Sequence, residues 1–217
     1  MESRFSWFCQ GPMKDKYVKG AIIETQHPTP RQWKILEVIN EHDHQLDKED
    51  VDNEEGIFSH ITTRLHCCRL DVPGTRVDIR VYLQVPWTNT EFESPRVRAH
   101  QAAEFDLPEF RAYRVMNSDP DVSRFTPRLL GYEIAKQRNE GDVPEKEIGD
   151  EDAWSEDMLQ IPFWKLKRPL RDDIRTQFKD TYIKLRGLGM YPAVSNSDSL
   201  VFDRANEHLY WVGFYDT

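Results

Sequence analysis

Two short clusters in this chain combine residue types able to hold a metal ion: His42-Asp43-His44 and His66-Cys67-Cys68. Imidazole, thiolate and carboxylate are the usual ligands of zinc, but a closed site takes four of them, commonly as two spaced pairs. Neither cluster has a second pair at such a spacing. Successive side chains of a strand point to opposite faces, so Cys67 and Cys68 are not expected to grip one ion together. A cysteine nucleophile needs a base beside it, and no His with Asn or Asp context marks Cys67 or Cys68 as one. The residues therefore predict no metal site and no cofactor. Cys9, Cys67 and Cys68 are odd in number and two are adjacent. They imply no disulfide framework and suit a reducing compartment.

The elements that must position any chemistry are bounded by composition. The 217 residues allow one domain, or one domain with a small extra lobe. With 38% hydrophobic and 31% charged residues the chain is polar, yet 12% aromatic residues argue for a real core with charged insertions. The net charge of −9 gains nothing from counterion release, so nucleic acid is not an expected partner. The N-terminal stretch lacks a continuous apolar region, and no run approaches the roughly 18 apolar residues of a membrane span. A cytoplasmic or nuclear protein without membrane contact is the expectation.

Along the chain, Lys19–Thr25 reads as a short strand, broken by Pro28 and Pro30. Pro30 to Asn40 reads as a helix, with Trp33, Leu36 and Ile39 at threefold spacing. Glu41 to Glu55 is dense in acid and reads as a solvated loop. Ile61–Leu70 and Arg76–Val85 read as two strands joined through Pro73-Gly74, a pair suited to a type II turn. In the second strand Val77, Ile79, Val81, Leu83 and Val85 alternate with polar residues, giving one apolar and one polar face. A helix follows from Leu107, with Pro108 and Glu109 in its first turn and Phe110, Tyr113 and Met116 on one side. Thr126–Tyr132 reads as a short strand, and the charged stretch 136–160 as an insertion. A long helix spans Leu170–Leu188, with Asp172 and Asp173 in its first turn and a stripe of Leu170, Ile174, Phe178, Tyr182 and Leu185. Gly187 and Gly189 stop it. A loop, Met190–Ser199, then leads to a closing hairpin of Leu200–Asp203 and His208–Phe214. The fold class is α+β.

This order of elements resembles the protein-kinase-like fold in the version found in aminoglycoside and choline phosphotransferases, and most of all a group of fungal kinase-like proteins of unassigned activity. The resemblance spans roughly Ser59 to Asp216. It implies a truncated kinase-like fold: a small antiparallel-sheet lobe plus a fragment of the helical lobe. The implied domains are an N-terminal extension (1–58), small-lobe strands and helix (59–135), the charged insertion (136–160) and the large-lobe fragment (161–217). Within it, Val77-Asp-Ile-Arg-Val81 looks like the third small-lobe strand, which puts Arg80 at the position of the phosphate-binding lysine. Glu109 in Glu-Phe-Arg-Ala-Tyr113 is similar to the helix glutamate that pairs with that lysine. Thr126-Pro-Arg-Leu-Leu-Gly-Tyr132 resembles the fourth strand. Gly189–Leu200 takes the catalytic-loop position, and Val212-Gly-Phe214 stands where a metal-binding Asp-Phe-Gly belongs.

The departures from that pattern carry the functional expectation. Phosphoryl transfer needs a carboxylate to orient and deprotonate the attacking hydroxyl. The resemblance puts Ala193 at that base position and Asp198 at the metal-binding asparagine. Gly213 stands where the second metal-binding carboxylate should precede Phe214. Arg80 keeps a charge but not the compact reach of lysine. Asp78, on the same strand face, is expected to line the nucleotide cleft and repel phosphate. No glycine-rich loop precedes the hairpin, and no apolar run in 133–160 marks a fifth strand. The chain is therefore expected to be catalytically inactive, not to bind ATP, and to serve as a binding or regulatory module with a protein partner, its contact surface the polar groove between the lobes. The alternative is a small-molecule or protein phosphotransferase with a rearranged site using Asp198, Asp203 or Asp216; a remnant with no selected activity is a third reading. Plainer roles stand beside these. Arg80 and Glu109 are also explained as solvated charges rather than a vestigial ion pair, Asp198 as a turn cap, and Gly213 as a bulge or packing point. Tyr210, Trp211 and Phe214 are explained as core or sheet residues.

Overall fold

The computed structural model describes residues 6–10, 13–53, 57–102, 107–136, 146–152, 163, 166–192, 200–203, 206–212 and 214–216. The chain divides into two compact units, Met1–Phe105 with Leu130–Asp152, and Asp106–Leu129 with Ala153–Thr217. Elements of both classes occur throughout, in an α+β arrangement.

The first unit is built on β1 (Ile22–Thr25), β2 (Arg31–His44), β3 (His60–Arg69), β4 (Arg76–Gln84), β5 (Ile134–Lys136) and β6 (Lys146–Asp152). They form one sheet in the order β1-β2-β3-β4-β6-β5, with every pairing antiparallel. Short helices α1 (Trp7–Gln10), α2 (Lys48–Asn53) and α3 (Pro95–Ala99) accompany it. Alternation in β4 turns Val77, Ile79, Val81 and Leu83 into one core with Ile61, Leu65 and Cys67 of β3 and Trp33 and Ile35 of β2. Each such side chain contributes about 1.5–3 kcal/mol by leaving water. Phe8, Met13 and Tyr17 from the N-terminal segment join the same cluster. Glu41 helps hold that segment: its carboxylate accepts from the Ser6 hydroxyl at 2.6 Å and the Trp7 amide at 2.9 Å.

The two predicted strands of the hairpin stand as β3 and β4, and the strand foreseen at 19–25 as β1. Four expectations are corrected. Residues 31–44 are a strand rather than a helix, and Glu41–His44 continue it instead of opening a loop. Its register against β3 shifts between Ile35 and Glu37 and between Val38 and Asn40. A bulge at each point adds an unpaired residue, Leu36 and then Ile39, so the apolar residues lose the period of two. Pro73-Gly74 does form a turn, with the Thr75 amide donating to the Val72 carbonyl at 2.8 Å. Gly74, however, is not among the glycines with positive φ, so the turn is not type II. Thr126–Tyr132 is no regular strand: Tyr132 makes an isolated bridge to His27, and the strand proper begins at Ile134. Finally, the stretch expected to lack a strand supplies β6, which pairs with β4 from Asp78↔Asp152 to Tyr82↔Ile148. A ladder of backbone hydrogen bonds needs no apolar run to form it.

The second unit holds α4 (Pro108–Ser118), α5 (Arg168–Gly187), β7 (Met190–Pro192), β8 (Leu200–Asp203), β9 (His208–Trp211) and β10 (Phe214–Asp216). In α4, Pro108 opens the first turn, where its missing N–H is no loss, and Phe110, Ala112, Tyr113 and Met116 are buried. α5 begins at Arg168 with Pro169 in its first turn, so Asp172 and Asp173 fall in the next one instead of at its start. Of the expected stripe Ile174 and Leu185 are buried, while Phe178 is 37% exposed. Past the helix, Gly189 has φ +75°, the left-handed conformation that ends a helix at little cost for glycine, and its amide donates to the Arg186 carbonyl at 3.1 Å. The closing hairpin is the β8–β9 pair, with Asp203 opposite His208. Gln177 of α5 clamps it, donating to the Glu207 carbonyl and accepting from the Leu209 amide, each at 2.9 Å.

Candidate functional site

The residues singled out by the resemblance fall in both units, and each unit is described by itself. In the first, Arg80 lies on β4 opposite Arg64 of β3, with Asp78 opposite His66 two pairs along. In the second, Glu109 occupies the first turn of α4, where a carboxylate complements the helix dipole. Ala193, Asp198 and Gly213 lie outside the described residues.

Asp78 corrects an expectation. Its side chain is nearly buried, and it does not stand as an open negative charge. Arg64 reaches across the ladder and donates from Nε to Oδ2 at 2.9 Å, with a second, closer contact from its Nη2. The His66 Nδ1–H donates to Oδ1 at 2.9 Å. A carboxylate on β4 is therefore held from both oxygens by the two β3 residues that the register sets beside it. Such a charge keeps its place in a sheet because it is paired and hydrogen-bonded. The repulsion foreseen for phosphate is offset within the sheet. Asp78→Ala should lower stability by about 2 kcal/mol in urea unfolding. The value is below that of a fully buried pair because Arg64 keeps a third of its side chain in water. Asp78→Asn, which preserves the shape, should lose about half as much.

The ladder also explains why sequence reasoning missed Arg64 and His66. They pass as outward residues of a strand until the register puts them against Asp78. The two metal-type clusters separate in the same way. Cys67 is buried in the core and Cys68 turns to the other face, as strand alternation requires. His42 and His44 lie at the end of β2. Among the described residues no group of three or more His, Cys, Asp or Glu side chains is placed to hold a metal ion.

In the second unit β10 returns to pair with β7, and Phe214 stands opposite Pro192. These are the residues that adjoin Gly213 and Ala193 in the chain. Of the acids considered as substitute ligands, Asp203 is committed to its own turn: it accepts from the Asn206 amide at 3.2 Å and from the Asn206 side-chain amide at 2.6 Å. Asp216 sits at the end of β10 opposite Met190. Trp211 is buried at the centre of the unit. Its indole N–H donates to the Thr181 hydroxyl at 2.7 Å, and its ring lies 4.8 Å from Phe178 and 5.7 Å from Tyr182. It is a core residue, as the plainer reading has it.

No protein-family model matches this chain, and no curated protein matches it. No helix among the described residues is long and apolar enough to cross a membrane.

Proposed function

We propose that the chain is a degenerate protein-kinase-like protein that transfers no phosphate and works as a binding or regulatory module for a protein partner. One observation carries the reading. From α5 onward the second unit runs long helix, short strand, hairpin, short strand, and the last strand pairs with the first at Pro192 and Phe214. This is the order in which the resemblance sets a catalytic loop and a metal-binding hairpin. The chain there carries Ala193 and Gly213. A methyl group cannot take a proton from an attacking hydroxyl, and a glycine offers no oxygen to magnesium. Loss of a general base alone lowers rate by about 10²–10⁴-fold. Loss of the metal anchor removes the charge that neutralises the β- and γ-phosphate oxygens as well. Arg80, at the lysine position, adds a further departure, and Asp203, spent on a turn, is a poor replacement ligand.

Thermal unfolding with and without millimolar ATP and magnesium tests this. The expected result is an unchanged midpoint, since a ligand present at 100 times its Kd would add about 2.7 kcal/mol. A saturable, magnesium-dependent rise that Asp198→Ala abolishes would overturn the proposal in favour of a rearranged phosphotransferase.

A further inference from the structure

β2 ends at His44, β3 begins at His60 and β4 ends at Gln84, and the register sets these three in one row at one end of the sheet. The segments that leave β2 and β4 from this end are tied together. The Thr88 amide donates to the Leu46 carbonyl at 2.9 Å. The Gln45 side-chain amide donates to the Pro86 carbonyl at 2.9 Å and to Glu91 Oε1 at 2.7 Å. The loop after β4 is also fixed within itself. The Thr90 amide donates to the Trp87 carbonyl at 3.0 Å and the Glu93 amide to the Thr90 carbonyl at 3.1 Å. Asn89 takes φ +67°, a conformation that asparagine adopts more readily than most residues. The Trp87 amide donates to the Gln101 side-chain carbonyl at 2.9 Å, and Arg98 of α3 donates to the Glu91 carbonyl at 3.2 Å. On this fixed loop Phe92 stands with its ring wholly in water, and Val97 of α3 is exposed as well. Single aliphatic side chains on a surface need no explanation, but an aromatic ring held out in full by a bonded loop has the form of an interface anchor. The loop is ordered before any contact, so docking costs it little further order.

We propose that Phe92 anchors a basic amphipathic helix of a protein partner. Charge names that partner. Glu93 is exposed beside the ring, and the segment tied to the loop exposes Asp47 and, on α2, Glu49, Asp50 and Asp52. The exposed cations of these segments and of α3 are Lys48 and Arg96, so negative charge is in excess. The ion pairs of the described residues lie elsewhere, and these acids are not spent on them. The apolar side chains of a helix can receive the Phe92 ring while its lysines and arginines meet Glu93 and the α2 acids. A bilayer is the poorer match, because one ring gives little apolar anchorage and anionic lipid repels the acids around it. The inference rests on the reading of the chain as a binding module and gives that module a contact surface.

The test is a fluorescence-anisotropy titration of the full chain against a dye-labelled amphipathic helical peptide of leucine and arginine. A leucine–glutamate peptide of the same pattern is the charge-reversed control. Saturable binding of the arginine peptide alone is expected. Phe92→Ala should weaken it by about ten-fold or more, with no change in the thermal unfolding midpoint, since the ring is already in water in the folded state. Glu93→Gln should weaken it by about three-fold and flatten its salt dependence. Val115→Ala, an exposed apolar change on α4, should leave it unchanged. Equal affinity of Phe92→Ala and the parent, equal binding of the glutamate peptide, or no saturable binding would each overturn the proposal. So would Phe92-dependent sedimentation with phosphatidylcholine vesicles in place of peptide binding. None of these outcomes alters the result with ATP and magnesium, so the contact surface and the loss of phosphate transfer can fail separately.

Discussion

Replacing Trp211 by alanine is expected to lower the unfolding free energy of the second unit by about 4 kcal/mol, within the range for removing a buried tryptophan. Three losses combine. The side chain is 2% exposed and sits in one cluster with Tyr113, Met116, Leu185 and Met190, so truncation leaves a cavity under α4 and α5. The indole N–H no longer reaches the Thr181 hydroxyl, which still donates to the Gln177 carbonyl at 2.7 Å and is thus only half deprived. The ring contacts to Phe178 and Tyr182 disappear, and each such pair adds about 0.5–1.5 kcal/mol beyond area. Urea unfolding followed by near-ultraviolet circular dichroism would measure the change. Trp211→Phe keeps most of the volume and should cost about half. If Trp211→Ala were as stable as the parent, the hairpin would not be anchored on α5 as described.

Acid should weaken the first unit before the carboxylates titrate, because of His60. Its ring stacks on His44 at 4.7 Å and lies 5.1 Å from Phe58. Desolvation is the main cause that brings its pKa from 6.5 down to about 4; the Phe58 carbonyl, 3.1 Å from Nδ1, and the charge of Asp43 oppose the fall, and His44 assists it. The folded state therefore holds this imidazole neutral at pH values where the unfolded chain has already protonated it. The stabilisation is fully present above pH 6.5 and is lost as pH falls toward 4, where it reaches a floor. The gap corresponds to about 3 kcal/mol as an upper value. Urea midpoints measured from pH 7.5 to 4 should fall for the parent and fall less for His60→Gln. Parallel curves for the two proteins would remove His60 as the cause.

The strands and helices that obey one clean period were legible in the sequence: β4 by alternation, α4 by its proline and apolar side, and α5 by its stripe and glycines. β2 was not, and the reason lies in its bulges. Leu36 and Ile39 are the extra residues inserted against β3, and with Trp33 they make the threefold spacing that imitates a helix. β6 was hidden differently, since Lys-Glu-Ile-Gly-Asp-Glu-Asp carries one large apolar residue and is held by its ladder to β4. The Asp78 site was half visible. Its acid is plain on the polar face of β4, but its partners depend on register. A two-residue turn at Pro73-Gly74 would pair Val72 with Thr75 and bring Arg69 opposite Asp78. The longer connection instead sets His66 there, and Arg69 pairs with Asp71.

The strand order has a consequence for synthesis. β4 needs β6 as its neighbour, yet Lys146 follows Gln84 only after α3, α4 and β5 have been made. At about 5–20 residues per second, the ribosome leaves the bonding edge of an apolar strand open for several seconds. A nascent chain in that interval offers the edge to any neighbour able to pair with it. Pairing with β6 closes that edge, and β5 in turn covers β6 over Lys146–Ile148, which leaves only a three-residue strand outermost on that side.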